Sequence, residues 1–164
     1  MFLRPAIFYL AFVTVIVAAL SLGPSFAHVL EAPPRLKVWS PDLWRETTVF
    51  NAQFWTFAAV GAPLDLSAIA LTAVLAALLR DDHPAFGFAA IAAVLYALSL
   101  VAWFALVAPV NGELATWVPG PIPGNFEAVR LRWEIGHMVV AALKLAGFAA
   151  LAFALLYAGR QSSS

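Results

Sequence analysis

The chain reads as an all-α integral membrane protein. It is expected to be an up-down four-helix bundle, one domain over residues 1–164, with a structured cap formed by its two longer loops on one side. Three observations predict this. Of 164 residues, 63% are apolar and only 11% are charged, against roughly 25% charged in a soluble domain. Four apolar runs reach the ~20 residues that a helix needs to cross a ~30 Å hydrocarbon core. The link Arg80–Pro84 between the second and third runs is so short that those two helices must be antiparallel neighbours.

The runs are Pro5–Ala27, Ala52–Leu79, Phe86–Val110 and Ile135–Ala158. Backbone groups in lipid must be satisfied within the segment, so these are helices and not strands. Arg4 and the small-x-small sequence Ser25-Phe26-Ala27 also resemble a signal peptide. The apolar run exceeds the 7–15 residues of such a peptide, so it is read as a span. Pro33 and Pro34 are expected to end the first helix. Ser40 and Pro41 then fit the cap and first position of a short amphipathic helix at the interface. The second long connection holds Pro119, Gly120, Pro121, Pro123 and Gly124. The pattern Phe126, Arg130, Trp133, Glu134, His137 begins the fourth helix outside the membrane.

An even number of spans puts both termini on one side, side A, and the connections Glu31–Asn51 and Asn111–Arg132 on side B. Side A carries Arg4, Arg80 and Arg160, whereas side B carries Arg35, Lys37, Arg45, Arg130 and Arg132, a bias that favours side B as cytoplasmic. The expected location is a bacterial inner membrane. Nine basic residues balance nine acidic ones, leaving no excess of positive charge for a phosphate backbone, so nucleic acid is excluded as a partner. The absence of Cys removes disulfides and thiolate chemistry, and leaves His, Asp and Glu as the strong metal ligands. The expected partners are the lipid bilayer and a hydrophobic small molecule, and the sequence leaves a homo-oligomer open.

All six tryptophans, at 39, 44, 55, 103, 117 and 133, fall in the half of the chain nearer side B. They make either an interfacial belt or an aromatic-lined cap and cavity. Polar residues inside the spans are costly and must face protein or water. On the fourth helix Arg130, Glu134, His137 and Lys144 share one stripe, and on the first Ser21, Ser25, His28 and Glu31 do the same. Asn51, Asp65 and Thr72 mark the second helix, and Tyr96, Ser99 and Trp103 the third. Asp65 and Lys144 lie deep, so they are expected as a buried pair, or in one water-filled pocket, because either charge alone would cost at least ~2.5 kcal/mol near the bilayer centre.

Nearer side B, His28-x-x-Glu31 and Glu134-x-x-His137 each put an imidazole and a carboxylate on one helical face. Di-metal bundles use Glu-x-x-His in this way, but with further Glu residues from the other helices. Here those positions hold Asn51, Gln53, Asn111 and Glu113. Three alternatives stay open. One is a single divalent metal on His28, Glu31, Glu134 and His137, or a haem between the two histidines. Another is metal-free acid–base use of a histidine. In the third, Glu31 and Glu134 simply pair with Arg35, Arg130 or Arg132.

Pro109-Val110-Asn111, followed by Arg130-x-x-Trp133-x-x-x-His137, resembles the pattern of the DUF1772, anthrone oxygenase-like integral membrane family. Gly23-Pro24-Ser25-Phe26-Ala27-His28-Val29-Leu30-Glu31 is similar to a variant within that group. Where the family leads one to expect a basic residue after the histidine, this chain has Met138, Val139 and Val140. The resemblance implies four membrane helices and, in a minority of members, oxygenation of polycyclic anthrones to quinones. On that basis the expected function is a small membrane oxidoreductase, oxygenase-like, acting on a hydrophobic aromatic or quinol-type substrate. His137 would be ligand or base, Glu134 its partner, Asn111 a hydrogen-bond donor to a developing oxyanion, and His28 with Glu31 the opposing wall. Trp55, Trp103, Trp133 and Asn51 would contact the substrate. The alternative is a non-enzymatic membrane protein that binds a metal, haem or lipid-like ligand, or an accessory subunit.

Overall fold

A computed structural model describes residues 5–51 and 53–161, and the side chains of all of these except 53–56, 58, 160 and 161. Arg4, Ala52 and the last three serines therefore lie outside the described residues, as do the side chains of Gln53, Trp55 and Arg160. The elements run α1 (Pro5–Lys37), α2 (Pro41–Arg45), a π-helical turn (Glu46–Phe50), α3 (Gln53–Leu78), α4 (His83–Ala102), a second π-helical turn (Trp103–Val107), α5 (Ala108–Leu114) and α6 (Phe126–Gln161). No strand occurs among the described residues.

Among the described residues four stretches are long and apolar enough to cross a membrane, Pro5–Lys37, Ala59–Leu78, His83–Leu114 and Phe126–Gly159. They form a ring in which α1 and α4 each pack against both α3 and α6. This is a four-helix bundle of the integral membrane kind, with large apolar side chains such as Phe8, Phe12, Val94, Phe153 and Leu156 on the outside. Its core is mostly alanine, at 18, 68, 85, 89, 92, 150 and 154. Lipid offers leucine no reason to turn inward, whereas small residues let helix backbones approach and gain dispersion contacts. Two glycines on α6 mark the tightest approaches. A Cβ on Gly147 would lie 3.1 Å from the Tyr96 ring, and one on Gly136 would lie 3.0 Å from Val107 Cγ2.

The seam between α1 and α6 has a fixed antiparallel register. Arg130 Nη1 donates to Arg35 O (3.2 Å) and Lys144 Nζ donates to Ser21 O (3.3 Å). Between these contacts the rings of His28 and His137 stack with centroids 4.1 Å apart. Each step of seven residues down α1 thus meets a step of seven along α6. A repeat of seven keeps one stripe of each helix facing the other in slightly supercoiled, left-handed packing.

Two sequence expectations are corrected here. Pro33 and Pro34 do not end α1, which continues to Lys37. Each proline removes one amide donor, but the helix end is held from elsewhere: the Val38 and Trp39 amides both bond Pro34 O (2.9 and 3.0 Å). In addition, the Arg130 guanidinium caps the carbonyls of Arg35, Leu36 and Trp39, a cation at the negative end of the helix dipole. The third span is also not one regular helix. It widens into the π turn at Trp103–Val107, just before Pro109, which has no amide to continue the ladder.

The loops at this end form a cap. Ser40 Oγ accepts from Leu43 N (3.2 Å) and starts α2 as expected. The helix turns Trp44, which is fully buried, toward the protein and leaves Leu43 exposed. Trp44 packs edge-on against Phe126 and Trp133, each with centroids 5.6 Å away. Val110, Leu114 and Val129 complete that cluster. Arg45 Nη1 donates to Gly120 O (2.8 Å) and ties the first loop to the proline-rich second one.

Replacing Gly147 by Val drives a side chain into Tyr96. The expected loss is about 1–3 kcal/mol, typical of overpacking, and it should appear as a lower thermal midpoint in detergent. The same change at exposed Gly23, where an added Cβ would meet nothing within 4 Å, should lower the midpoint much less.

Candidate functional site

Beneath the cap, a cavity of about 160 Å³ lies between the four spans. It has a polar group at each end and apolar walls that include Leu20, Pro24, Leu100, Trp103 and Val140. Three residues that line it are also exposed on the outside of the bundle, Phe104 at 62%, Leu20 at 54% and Phe57 at 37%. The cavity therefore reaches the lipid-facing flank, while the cap covers its other end.

The group nearer the cap is organised by Arg35, which is buried. Its Nη1 lies 3.1 Å from His28 Nδ1 and its Nη2 pairs with Glu31. Its guanidinium lies between the Trp39 and Trp133 rings, 5.6 and 5.5 Å from their centroids. A guanidinium only donates hydrogen bonds, so His28 Nδ1 must accept, and the ring proton sits on Nε2. Trp133 packs edge-on against both histidines, with centroids 5.1 Å from His28 and 4.3 Å from His137. Trp133 Nε1 donates to Asn111 Oδ1 (3.0 Å), which fixes the amide and leaves its Nδ2 as the donor toward the cavity. His137 Nε2 is enclosed and has no hydrogen-bond partner.

The deeper group is an ion pair. Lys144 Nζ lies 2.6 Å from Asp65 Oδ1, and Ser21 Oγ donates to the same oxygen at 2.7 Å. Together these clasp α1, α3 and α6 at one level. Just below, Tyr96 Oη donates to Ala18 O (3.1 Å), adding α4. Both residues of the pair also line the cavity.

Several expected site residues meet here. His28, His137, Asn111, Trp103, Trp133, Asp65 and Lys144 all line one cavity, so the shallow and deep groups belong to a single hollow. Others do not. Asn51 is exposed at the end of the first π turn and is not part of the lining, and the Trp55 side chain lies outside the described residues. Glu134 is completely buried but turned toward the cap, where its Oε1 accepts from Trp44 Nε1 (3.0 Å). Its Oε2 is 4.0 Å from Arg35.

The structure does not gather His28, Glu31, Glu134 and His137 into one metal-binding group. Glu31 is occupied by Arg35 and Glu134 by Trp44, and among the described residues no three His, Asp or Glu side chains are grouped to hold an ion. Nor do the histidines fit a haem. Their planes stack at 22° with 4.1 Å between centroids, which leaves no gap for a macrocycle between them. The pairing of Glu31 with Arg35, one of the alternatives in the sequence, is the arrangement present. Sequence reasoning missed Arg35 as the centre of the upper group, together with Thr48 and Phe57 in the lining. The signal for Arg35 was its place seven residues after His28, hidden by the expectation that Pro33 and Pro34 stop the helix.

No family model, curated protein or solved structure matches the chain.

Lys144→Met alone should destabilise the protein by about 3–5 kcal/mol, because it strands a buried carboxylate. Adding Asp65→Asn should recover much of that loss. Equal thermal midpoints for the single and double variants would show that the two charges do not support one another.

Proposed function

We propose that the chain is a small membrane oxidoreductase, oxygenase-like, that takes a hydrophobic aromatic or quinol-type molecule from the lipid into this cavity. The observation that carries the reading is the position of His137. Its imidazole, with one nitrogen lacking any partner, lines an apolar hollow that opens on the lipid-facing flank of the bundle. A neutral histidine so placed can take a proton from an activated C–H or a phenolic O–H as the ring becomes an anion. The developing charge rests on a ring oxygen, for which Asn111 Nδ2 and His28 Nε2–H are the available donors. Trp103 and Trp133 supply flat apolar surface for the ring.

The electrons of the anion pass to dioxygen. For a ring methylene conjugated across the ring to a carbonyl, one oxygen atom becomes the new carbonyl and the other leaves in water; for a quinol, dioxygen takes both electrons and both protons and leaves as hydrogen peroxide, so neither step needs a further reductant. The Pro109-Val110-Asn111 and Arg130-x-x-Trp133-x-x-x-His137 motifs, which resemble the anthrone oxygenase-like family, support the same chemistry. In this reading the bundle sits in a bacterial inner membrane with both termini on one side and the cap on the other.

Purified protein should consume oxygen with a quinol that carries an apolar tail, and His137→Ala should lower kcat by at least ~100-fold, the scale of a general base. A ring compound bound stoichiometrically with no turnover would assign the protein as a binding module instead.

A further inference from the structure

The cavity's two polar ends are two helical turns apart, and the space between them is small. His137 and Lys144 are separated by seven residues on α6, as are Ser21 and His28 on α1, a rise of about 10.5 Å. Side chains on α6 lean toward its N-terminus. Lys144 therefore reaches back toward the histidines, and its ammonium group meets Ser21 O and Asp65. His137 leans the same way, so the two ends stay roughly 10 Å apart, about the length of one six-membered ring with an oxygen and a hydrogen bond at each end. The volume agrees, since about 160 Å³ is close to the ~150 Å³ of an apolar cavity that accepts benzene. Three fused rings would extend beyond this volume into the opening on the flank.

From this juxtaposition we infer that the cavity selects a single aromatic or quinonoid ring bearing two oxygens para to one another, and that Asp65 and Lys144 are the specificity determinants for the far oxygen. The inference rests on the proposed reading of a ring ligand and narrows its class. At the cap end, His28 Nε2–H and Asn111 Nδ2 offer donors and His137 offers an acceptor. At the deep end, the third ammonium hydrogen of Lys144 is a donor and Asp65 Oδ2 an acceptor. Each end can thus bind a carbonyl or a hydroxyl, so both the oxidised and the reduced ring are accommodated. An apolar tail on the ring leaves through the flank lined by Leu20, Phe57 and Phe104, which are already exposed to lipid.

A single-oxygen analogue leaves one polar end without a partner, and an unmet buried hydrogen bond is worth about tenfold in affinity. The test is quenching of tryptophan fluorescence in lipid nanodiscs by three probes: para-benzoquinone with a decyl tail, its monophenol counterpart with the same tail, and anthraquinone. The para-quinone should bind about tenfold more tightly than the monophenol, and anthraquinone should bind least. Joint replacement Lys144→Met with Asp65→Asn, which strands no charge, should remove the quinone's advantage over the monophenol. Should that variant fail to fold, the ranking of the three probes on the unaltered protein decides alone. Quinone and monophenol binding equally, with both weakened by His137→Ala, would overturn the two-ended selection while leaving the ring site in place. Anthraquinone binding as tightly as the quinone would overturn the single-ring limit. If none of the probes binds, both this inference and the proposed function fail together.

Discussion

The structure depends on the antiparallel register of α1 and α6. Three contacts spaced by seven residues on each helix, Arg35 with Arg130, His28 with His137 and Ser21 with Lys144, hold these polar groups of the two helices at matching levels. A slip of one residue would turn each stripe by about 100° and send charged side chains toward lipid, where each is strongly disfavoured. Hydrophobic burial does little to align helices within a bilayer. The polar pairs therefore set the register, and the alanine-rich lower core, with Gly147 against Tyr96, lets the backbones close around it.

The same pairs explain why the cavity persists. Arg35 is held by Glu31, by His28 and by two indole faces, and Lys144 by Asp65 and Ser21. Each cation stays at its own end because its carboxylate is there. The apolar residues between them cannot satisfy either charge, so collapse of the hollow would strand one of them. The cap contributes at the wet end, where Trp44, Trp133 and Phe126 interlock and Arg45 grips the carbonyls of the proline-rich loop.

Most of the fold was legible because apolar length and polar spacing act locally. The four spans, the Ser40 cap of α2 and the start of α6 all follow from such signals. So does the inward edge of each helix. The features that stayed hidden depended on contacts distant in sequence. Pro33 and Pro34 look like helix stops until Arg130, from the far end of the chain, caps the carbonyls beyond them. Glu31 and Glu134 look like metal ligands until the partners chosen by folding, Arg35 and Trp44, are known. Asn51 matched the polar pattern but sits on an exposed turn, a difference that hydropathy does not encode.

The widened turn at Trp103–Val107 sets the rotational phase of α5. Ser99, Trp103 and Val107 succeed one another in steps of four, and Ser99 and Val107 are completely buried while Trp103 lines the cavity. A regular helix would carry such a series progressively off its face, and the extra residue per turn absorbs the drift. Asn111 and Leu114 thus arrive on the inner side together with the loop that leads to the cap. Loss of one residue anywhere in this turn would yield a more orthodox helix whose remaining length points the wrong way. Chain length here is therefore constrained by the placement of Asn111 in the cavity wall.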